Sequence, residues 1–311
     1  MSAALLHKVL HIFGGGCKIK VISRQPGSRS LKNTLEEPMR QPFVTTQYTL
    51  PAPVSGEVRL ALVSDLHEHD PAPVIRRLAA LKPDVIAVAG DTFERHDQGT
   101  DPRWHGRKAP PRLLAPLKRT VNRLTYAVMG SGEKTCSAYS YAFLHAAAKI
   151  APVYVSLGNH EWYLSKADRA QLQSAGAVLL DNADCTAEIR GCCLRLGGLS
   201  SAADPTWLER FRQKPGCKIL LCHQPEFYDR LSLQGFDLIL SGHVHGGQWR
   251  WKNHGIFAPD QGFLPRYHHG VYHGHMVVSA GCSNTSLLPR FGNPCEVVLV
   301  RLVPQFSTHG R

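Results

Sequence analysis

The sequence predicts an α/β protein built as a four-layer α/β/β/α sandwich with two mixed sheets. Apolar segments of strand length alternate with helical segments through the middle of the chain, and segments that read only as strands follow them. The 311 residues, of which 43% are hydrophobic and 19% charged, are typical of a soluble globular protein with ample core. These observations favour one large domain over several small ones.

The strands are predicted from short, continuous apolar runs bounded by turn residues, which is the pattern of strands buried on both faces. The helices are predicted from longer segments with helical periodicity, the first of which ends at Pro83. The predicted strands are 58–64, 85–89, 152–157, 177–180, 185–190, 193–197, 218–222, 237–240, 276–279 and 296–302. The predicted helices are 72–81, 114–127, 137–150, 166–174, 207–213 and 226–233.

Composition divides the chain into a leader, residues 1–55, a domain, residues 56–303, and a tail, residues 304–311. Residues 5–13 form an amphipathic stretch that is too short to span a bilayer and too polar for a secretory signal. This stretch is either a weak anchor on the inner face of a membrane or a terminal helix that docks on the core. We therefore expect a cytoplasmic protein, with peripheral membrane contact as the open alternative.

The chain carries a net charge of +12, because 36 Lys and Arg residues outnumber 24 Asp and Glu residues. Such a surface attracts phosphorylated substrates, nucleic acid or acidic lipid headgroups without choosing among them. The basic segment 103–123 either guides an anionic substrate or is a solvated face. No nucleic-acid-binding module is evident in the sequence.

The nine cysteines are odd in number and include no C-x-x-C pair, which argues against a disulfide framework or a zinc knot. Several of them lie inside apolar runs. We expect reduced, mostly buried thiols, as is typical of a cytosolic compartment.

The most informative residues are those that follow the predicted strands. Five apolar strands each end in Asp, Asn or His, and the carboxyl edge of an α/β sheet is where ligands bind. In an extended chain residues i and i+2 face the same side, so Asp65 and His67 can converge, as can His243 and His245. The seven candidates are Asp65, His67, Asp91, Asn159, His223, His243 and His245.

The donor set predicts a metal centre with two ions. Asp, Asn and neutral His offer oxygen and nitrogen without thiolate, which suits Mn, Fe or Zn. One zinc takes about four ligands, so seven candidates exceed the need of a single ion. Two ions that share one carboxylate account for the number, and such pairs act on both oxygens of an in-line displacement.

These blocks resemble the pattern of the calcineurin-like metallophosphoesterase superfamily. The matching residues are DLH at 65–67, GD at 90–91, GNHE at 158–161, His223 and GHVH at 242–245. The segments 242–248 and 255–272 look like the bacterial branch that carries GHTHGGQ, with Val244 in place of the usual Thr. That branch includes phosphodiesterase-like proteins and a hydrolase of a UDP-diacylglucosamine precursor of lipid A.

The resemblance implies a role for each candidate. Asp65, His67, Asp91 and His245 would hold one divalent ion, and Asp91, Asn159, His223 and His243 the other, with Asp91 bridging. A water between the ions would attack phosphorus as hydroxide, and His160 would act at the leaving-group oxygen. Glu161 would either orient His160 or serve as a helix N-terminal carboxylate.

The implied function is a metal-dependent phosphoesterase with Mn favoured over Fe or Zn. A phosphodiester or pyrophosphate is the favoured substrate, in a phosphorylated small molecule or a lipid-linked molecule. A phosphomonoesterase of broad specificity and a catalytically weak metal-bearing scaffold are the alternatives.

The substrate-binding residues are less well defined by the sequence. Aromatic residues after the last ligands, among them Trp249, Phe257 and Tyr267, either line a substrate pocket or pack against the sheet. The histidines of segment 268–275 are expected to lie on a solvent-facing hairpin, with a further metal site as the alternative.

Overall fold

The computed structural model describes residues 43–95, 136–252, 254–285 and 289–305. Its helices are α1 (Ala72–Leu81), α2 (Ser137–Ala148), α3 (Lys166–Ser174), α4 (Pro205–Arg212) and α5 (Phe227–Arg230). The larger strands are β1 (Val44–Ala52), β2 (Val58–Val63), β3 (Val85–Ala89), β4 (Val153–Ser156), β5 (Val178–Leu180), β6 (Ala183–Ile189), β7 (Cys192–Leu199), β8 (Cys217–Cys222) and β9 (Leu238–Ser241). The remaining strands are β10 (Arg250–Trp251), β11 (His254–Gly255), β12 (Phe257–Ala258), β13 (Gly262–Phe263), β14 (Gly270–Tyr272), β15 (Met276–Val278) and β16 (Glu296–Pro304). The amphipathic stretch 5–13, the basic segment 103–123 and residues 306–311 lie outside the described residues.

Two six-stranded mixed sheets form the centre of the molecule. The first sheet has the order β1-β16-β2-β3-β4-β5, with β2 to β5 parallel and β16 antiparallel to β2. The second has the order β14-β15-β9-β8-β7-β6, with β15, β9, β8 and β7 parallel and both edge strands antiparallel. The parallel strands of both sheets supply the five polar ends that the sequence singles out.

The main core lies between the sheets, where their inner faces pack together. Leu60 and Leu62 of β2 contribute from the first sheet and Leu221 of β8 from the second. Apolar residues of α1, α2 and α3 cover the outer face of the first sheet, and residues of α4 and α5 cover that of the second. The fold is therefore the predicted four-layer α/β/β/α sandwich. Both faces of the central strands are buried, which explains their unbroken apolar runs.

The predicted boundary of the leader at residue 55 was wrong. Val44–Ala52 forms β1, an edge strand that pairs in parallel with β16 along nine residues. Tyr48, Leu50 and Ala52 point into the core between the sheets, while Gln47 and Thr49 stay partly exposed. The alternation is that of a strand with one buried face, which its polar residues hide from a search for continuous apolar runs.

Other segments differ from the sequence expectation at their ends or in their type. The predicted helix 226–233 is reduced to the single turn of α5, and residues 250–263, which were given no structure, form two short hairpins. All eight cysteines that the structure describes are free, although only half of them are buried. Among the described helices, none is both long enough and apolar enough to cross a membrane.

Candidate metal centre

The seven predicted ligands meet where the carboxyl ends of five parallel strands converge. Strands β2, β3 and β4 of the first sheet deliver Asp65, Asp91 and Asn159, and β8 and β9 of the second deliver His223 and His243. Several hydrogen bonds join the sheets at this edge, and two of them involve ligand candidates of the second sheet. The backbone N–H of His243 donates to Asp65 Oδ1 at 3.0 Å, and Nδ1 of His223 donates to the carbonyl of Ala89 at 2.7 Å.

The first group of donors consists of Asp65, His67 and His245, whose ligand atoms all lie within 4.8 Å of one another. Nε2 of His67 is 3.9 Å and Nε2 of His245 is 3.8 Å from Oδ1 of Asp65. Asp65 is fully buried, and a buried carboxylate is stable only beside positive charge or donors. The three atoms therefore surround a position suited to a cation.

The second group consists of Asp91, His223 and His243, and Asn159 lies beside it. Oδ1 of Asn159 is 3.1 Å from Nε2 of His223. Oδ2 of Asp91 lies 3.0 Å from Nε2 of His223 and 3.6 Å from Nε2 of His67, which belongs to the first group. The Asp91 carboxylate thus stands between the two groups, where a shared ligand would have to be.

In His67 and His223 one ring nitrogen forms a hydrogen bond to the protein, and the other nitrogen of the same ring remains available for a metal ion. Nδ1 of His67 donates to Glu94, and its Nε2 is buried without a hydrogen-bond partner among the described residues. Nδ1 of His223 is engaged by Ala89 in the same way. A histidine ligand usually donates its second N–H to a carboxylate or carbonyl, which sets the tautomer that offers a lone pair to the metal.

Charges within the centre keep its carboxylates ionised. Burial alone would raise the pKa of Asp91, but the imidazoles of His223 and His160 hold it well below its usual range. Burial opposes a charge on His223, yet Asp91 raises the pKa of that ring to about 10. Burial, with the charges of His67 and Arg290, brings the pKa of His245 well below its usual range, which leaves the ring neutral. Metal binding would therefore displace protons from the ion-free site.

The backbone at the strand ends is left-handed, not extended. Asp65, His67, Asp91, His243 and His245 all have φ between 46° and 72°. The side chains of Asp65 and His67 do converge, as expected, but the argument from extended geometry was the wrong reason. Asp, Asn and His tolerate this conformation better than other residues with a Cβ, and strained backbone of this kind clusters at functional sites.

Two glycines allow the chain to approach the ligands closely. A Cβ added at Gly158 would lie 2.0 Å from Oδ1 of Asp91, and one added at Gly242 would lie 2.7 Å from Oδ2 of Asp65. Neither position has room for a side chain, so any larger residue there would displace a ligand candidate.

Glu161 has a different role from either of those expected. Its buried carboxylate accepts backbone N–H bonds from Asp91, Thr92, Phe93 and Gly158 at 2.7–3.1 Å. It neither contacts the His160 ring in the described hydrogen bonds nor caps a helix. It holds together the two turns that present Asp91 and Asn159.

Glu94 is the residue that the sequence reasoning missed at this centre. One of its oxygens accepts from Nδ1 of His67, and the other accepts from Nδ1 of His160 at 2.9 Å. The same carboxylate therefore orients a metal-ligand candidate and the predicted leaving-group residue. Glu94 follows Asp91 by three residues, in the same turn after β3, and this position was the feature of the sequence that could have identified it.

His160 differs from the four predicted histidine ligands in its exposure. Its side chain is 26% exposed, whereas that of His245 is 11% exposed and those of His67, His223 and His243 are 4% exposed or less. Burial would lower its pKa, but Asp91 and Glu94 raise it to about 9. Its ring thus opens toward solvent beside buried donors, and the two neighbouring carboxylates favour its protonated form.

The aromatic candidates divide into two kinds. Tyr267 is 1% exposed and its hydroxyl donates to Asp229 at 3.0 Å, so its assignment to a substrate pocket was wrong. Trp249 and Phe257 are 37% and 36% exposed and remain open to a ligand. Within the described residues no metal-ligand group includes the histidines of 268–275, and His269 instead lies 3.2 Å from the buried carboxylate of Glu296.

Comparison with known proteins agrees with this arrangement. A family model described as calcineurin-like phosphoesterase matches residues 58–247, more than half of the chain. The chain belongs to this family. The finer assignment to the bacterial branch remains a prediction.

Two curated proteins match this chain over part of their own length. An uncharacterized protein of Bacillus subtilis, YpbG, is 33% identical over 85 residues, covering 27% of this chain and 30% of that protein. A putative metallophosphoesterase of Caenorhabditis elegans is 25% identical over 277 residues, covering 80% of this chain and 49% of that protein. The match thus spans about half or less of the length of these relatives.

The solved structures that resemble this chain are distant in sequence. Phosphopantetheinyl hydrolase from Mycobacterium tuberculosis is 14% identical, with a TM-score of 0.37 and coverage of 72% of this chain and 89% of that one. The calcineurin-like phosphoesterase YfkN from Bacillus subtilis is 12% identical, with a TM-score of 0.38 and coverage of 74% and 82%.

Membership of the family implies divalent metal ions, and the donors fit them. The buried, unpartnered Nε2 of His67 and the carboxylates of Asp65 and Asp91 are the groups that such ions require. None of the candidate groups contains a cysteine, which agrees with a site for Mn, Fe or Zn and not for a soft metal.

The packing at Gly158 generates a testable prediction. Gly158→Ala should raise the dissociation constant for manganese at least about tenfold, because the new methyl group must displace the Asp91 carboxylate. Metal titration with elemental analysis measures the effect. Gly56→Ala is the matched control, since a Cβ there meets nothing within 4 Å. Unchanged affinity in Gly158→Ala would show that the Asp91 turn shifts freely.

Proposed function

We propose that the chain is a dinuclear-metal-dependent hydrolase of phosphodiester or pyrophosphate bonds. One observation carries the proposal: the buried Asp91 carboxylate lies between two groups of oxygen and nitrogen donors, 3.0 Å from one and 3.6 Å from the other. A single ion would leave half of these buried donors without a partner. Manganese is the favoured ion, because the donors are carboxylate, amide and imidazole.

The division of ligands follows the two groups. Asp65, His67 and His245 would hold one ion, and Asn159, His223 and His243 the other, with Asp91 shared. When bound, the ions supply an activated water for in-line attack and neutralise charge on the phosphoryl oxygens. The left-handed turns and the Glu161 contacts keep the ligands in place before substrate arrives, so little reorganisation accompanies the reaction.

His160 is assigned the proton transfer to the leaving group. Its ring is more exposed than those of the four histidine ligands, and its Nδ1 is held by Glu94, which directs Nε2 toward the centre, 3.9 Å from Asp91. A protonated imidazole in this position can donate Nε2–H to a leaving oxygen as the phosphorus bond breaks. Glu94 then stabilises the orientation and the charge of the ring.

An apolar surface beside the centre favours an amphipathic substrate. Of the nine large apolar side chains that the described residues expose, six belong to the two hairpins after His245 or lie beside them. Phe263 and Leu264 are 79% and 77% exposed, and Trp251 and Phe291 are each 62% exposed. Clusters of this kind usually bind something. We assign the surface to the acyl part of a lipid-linked phosphate substrate.

The shared carboxylate gives the first test of the function. Asp91→Asn should lower manganese-dependent hydrolysis of a generic diester at least about a hundredfold, because the amide cannot neutralise two ions. The free energy of unfolding and the circular dichroism spectrum should show a folded protein. Asp181→Asn, in an exposed ion pair with Arg169, is the control that should keep full activity. Full activity of Asp91→Asn would contradict the two-metal proposal.

The role of His160 is tested by the choice of leaving group. His160→Ala should lower kcat about a hundredfold or more for an alkyl leaving group and much less for 4-nitrophenolate, which leaves without a proton. Bound metal, measured by elemental analysis, should stay as in the unmodified protein.

Two outcomes would overturn this role. Loss of metal in His160→Ala would make the residue a ligand, and equal losses for both leaving groups would exclude proton donation. His145→Ala on α2, where the ring lies outside the centre, is the control that should change neither measurement.

The apolar surface is tested by comparing two substrates. Phe263→Ser should raise KM for a diester with a long acyl chain at least about fivefold, because an exposed Phe gives up apolar contact area. Its kcat on a small soluble diester should not change. Val178→Ser, which alters a 40% exposed valine on β5, is the matched control. An equal effect of both variants would remove the surface from substrate binding.

A further inference from the structure

Glu226 is a buried acidic residue that the proposed two-metal site does not use. It follows β8 by four residues and precedes α5, and it is 7% exposed. Neither of its carboxylate oxygens has a hydrogen-bond partner among the described residues, and both are inaccessible to water. A buried carboxylate in this state costs free energy unless a cation or donor accompanies it.

The Glu226 carboxylate faces the outer side of His243, together with Asp260. Nε2 of His243 lies 3.9 Å from Oε1 of Glu226 and 3.2 Å from Oδ2 of Asp260. One donor atom from each of the three residues lies within 4.8 Å of the other two. With Nε2 turned to these carboxylates, Nδ1 is the ring nitrogen that remains for the group of Asp91 and His223.

The spacing of these atoms is that of ligands around an ion. With bonds of about 2.1 Å, neighbouring ligand atoms lie about 3.0–3.4 Å apart and opposite ones about 4.2 Å apart. The 3.2 Å separation, which in the ion-free protein is a hydrogen bond from Nε2 of His243 to Asp260, lies within the first of these ranges, and the 3.9 Å separation lies between the two values. The same spacings occur in the centre itself, where His223 and Asp91 are 3.0 Å apart and His67 and Asp65 are 3.9 Å apart.

Because water cannot reach the Glu226 oxygens, a bare ion is a better partner for this carboxylate than a polar group of the substrate. A hydroxyl or ammonium group, which is similar in size to water, cannot reach these oxygens in this conformation. Two carboxylates beside a centre for anionic phosphates would also repel the substrate unless a cation neutralises them. An ion between the three ligands satisfies both conditions.

We propose that Glu226, Asp260 and His243 bind a third divalent ion next to the dinuclear centre. The proposal rests on the proposed function only in sharing His243, whose imidazole would bridge the second and third ions after its remaining ring proton passes to solvent. Asp260 lies in the turn between β12 and β13, the hairpin that carries Phe257 and Phe263. The third ion therefore fastens the apolar hairpin to the metal centre.

The number of bound ions tests the proposal without an activity measurement. The full chain, stripped by a chelator and dialysed against manganese, should bind about three ions by elemental analysis. Glu226→Gln should bind about two, because the amide keeps the shape of the side chain but not its charge. Glu188→Gln, on the exposed side of β6, is the matched control that should bind about three.

Asp260→Asn gives a second measurement, because its half-exposed turn tolerates substitution if Glu226→Gln does not fold. It should raise the dissociation constant of the most weakly bound ion at least about tenfold and leave the other two unchanged. Two ions in the unmodified protein, or two lost in either variant, would overturn the third site. One ion or none in the unmodified protein would instead overturn the proposed dinuclear centre.

Discussion

The buried carboxylate of Asp91 is the constraint around which the rest of the centre is organised. It lies within 3.9 Å of the Nε2 atoms of three histidines, and it accepts the backbone N–H of His160. So many contacts to one small group demand that two chain segments approach more closely than side chains usually allow. Gly158 and the four backbone bonds accepted by Glu161 make that approach possible. In the proposed dinuclear site, a carboxylate held this firmly would need no change of conformation to meet both ions.

The centre also depends on two sheets meeting at one edge. Neither sheet alone supplies enough donors, and the bond from the His243 backbone to Asp65 joins residues 178 positions apart. Five of the seven ligand candidates are therefore buried between the layers, Asn159 and His245 are partly exposed, and the side chain of His160 is 26% exposed. On the proposed roles, the residue that would meet a substrate is more exposed than the histidines that would hold ions. The hairpins follow His245 in the chain, and Asp260 in the second of them contacts His243, so their exposed apolar side chains adjoin the candidate centre.

The sandwich and the convergence of the seven ligand candidates were both predicted from the sequence. Continuous apolar runs that end in polar residues are a strong signal of buried parallel strands, and these strands bring the polar residues together. Strand β1 was missed, since an edge strand with one buried face carries only alternate apolar residues such as Tyr48 and Leu50. Glu94 and Glu226 were missed for another reason. Each follows a ligand candidate by three residues in a turn with no regular periodicity, so its direction depends on the fold. Tyr267 was misjudged because an aromatic side chain in a polar segment looks the same in sequence whether it is exposed or buried.

The pairing of β1 with β16 has a consequence for the order of assembly. Strand β1 reaches its sheet only through β16, and Thr46 meets Glu296 across 250 positions of sequence. During synthesis β1 has no strand to pair with until every ligand-bearing strand has been made. Pairing across so long a loop is expected to form late in folding. Glu296 also accepts the backbone N–H of Ala280, next to the glycine that packs against Asp65. All seven candidate ligands, the last of which is His245, are therefore synthesised before β16, so the residues that would hold ions precede the strand whose Glu296 supports the loop around Asp65.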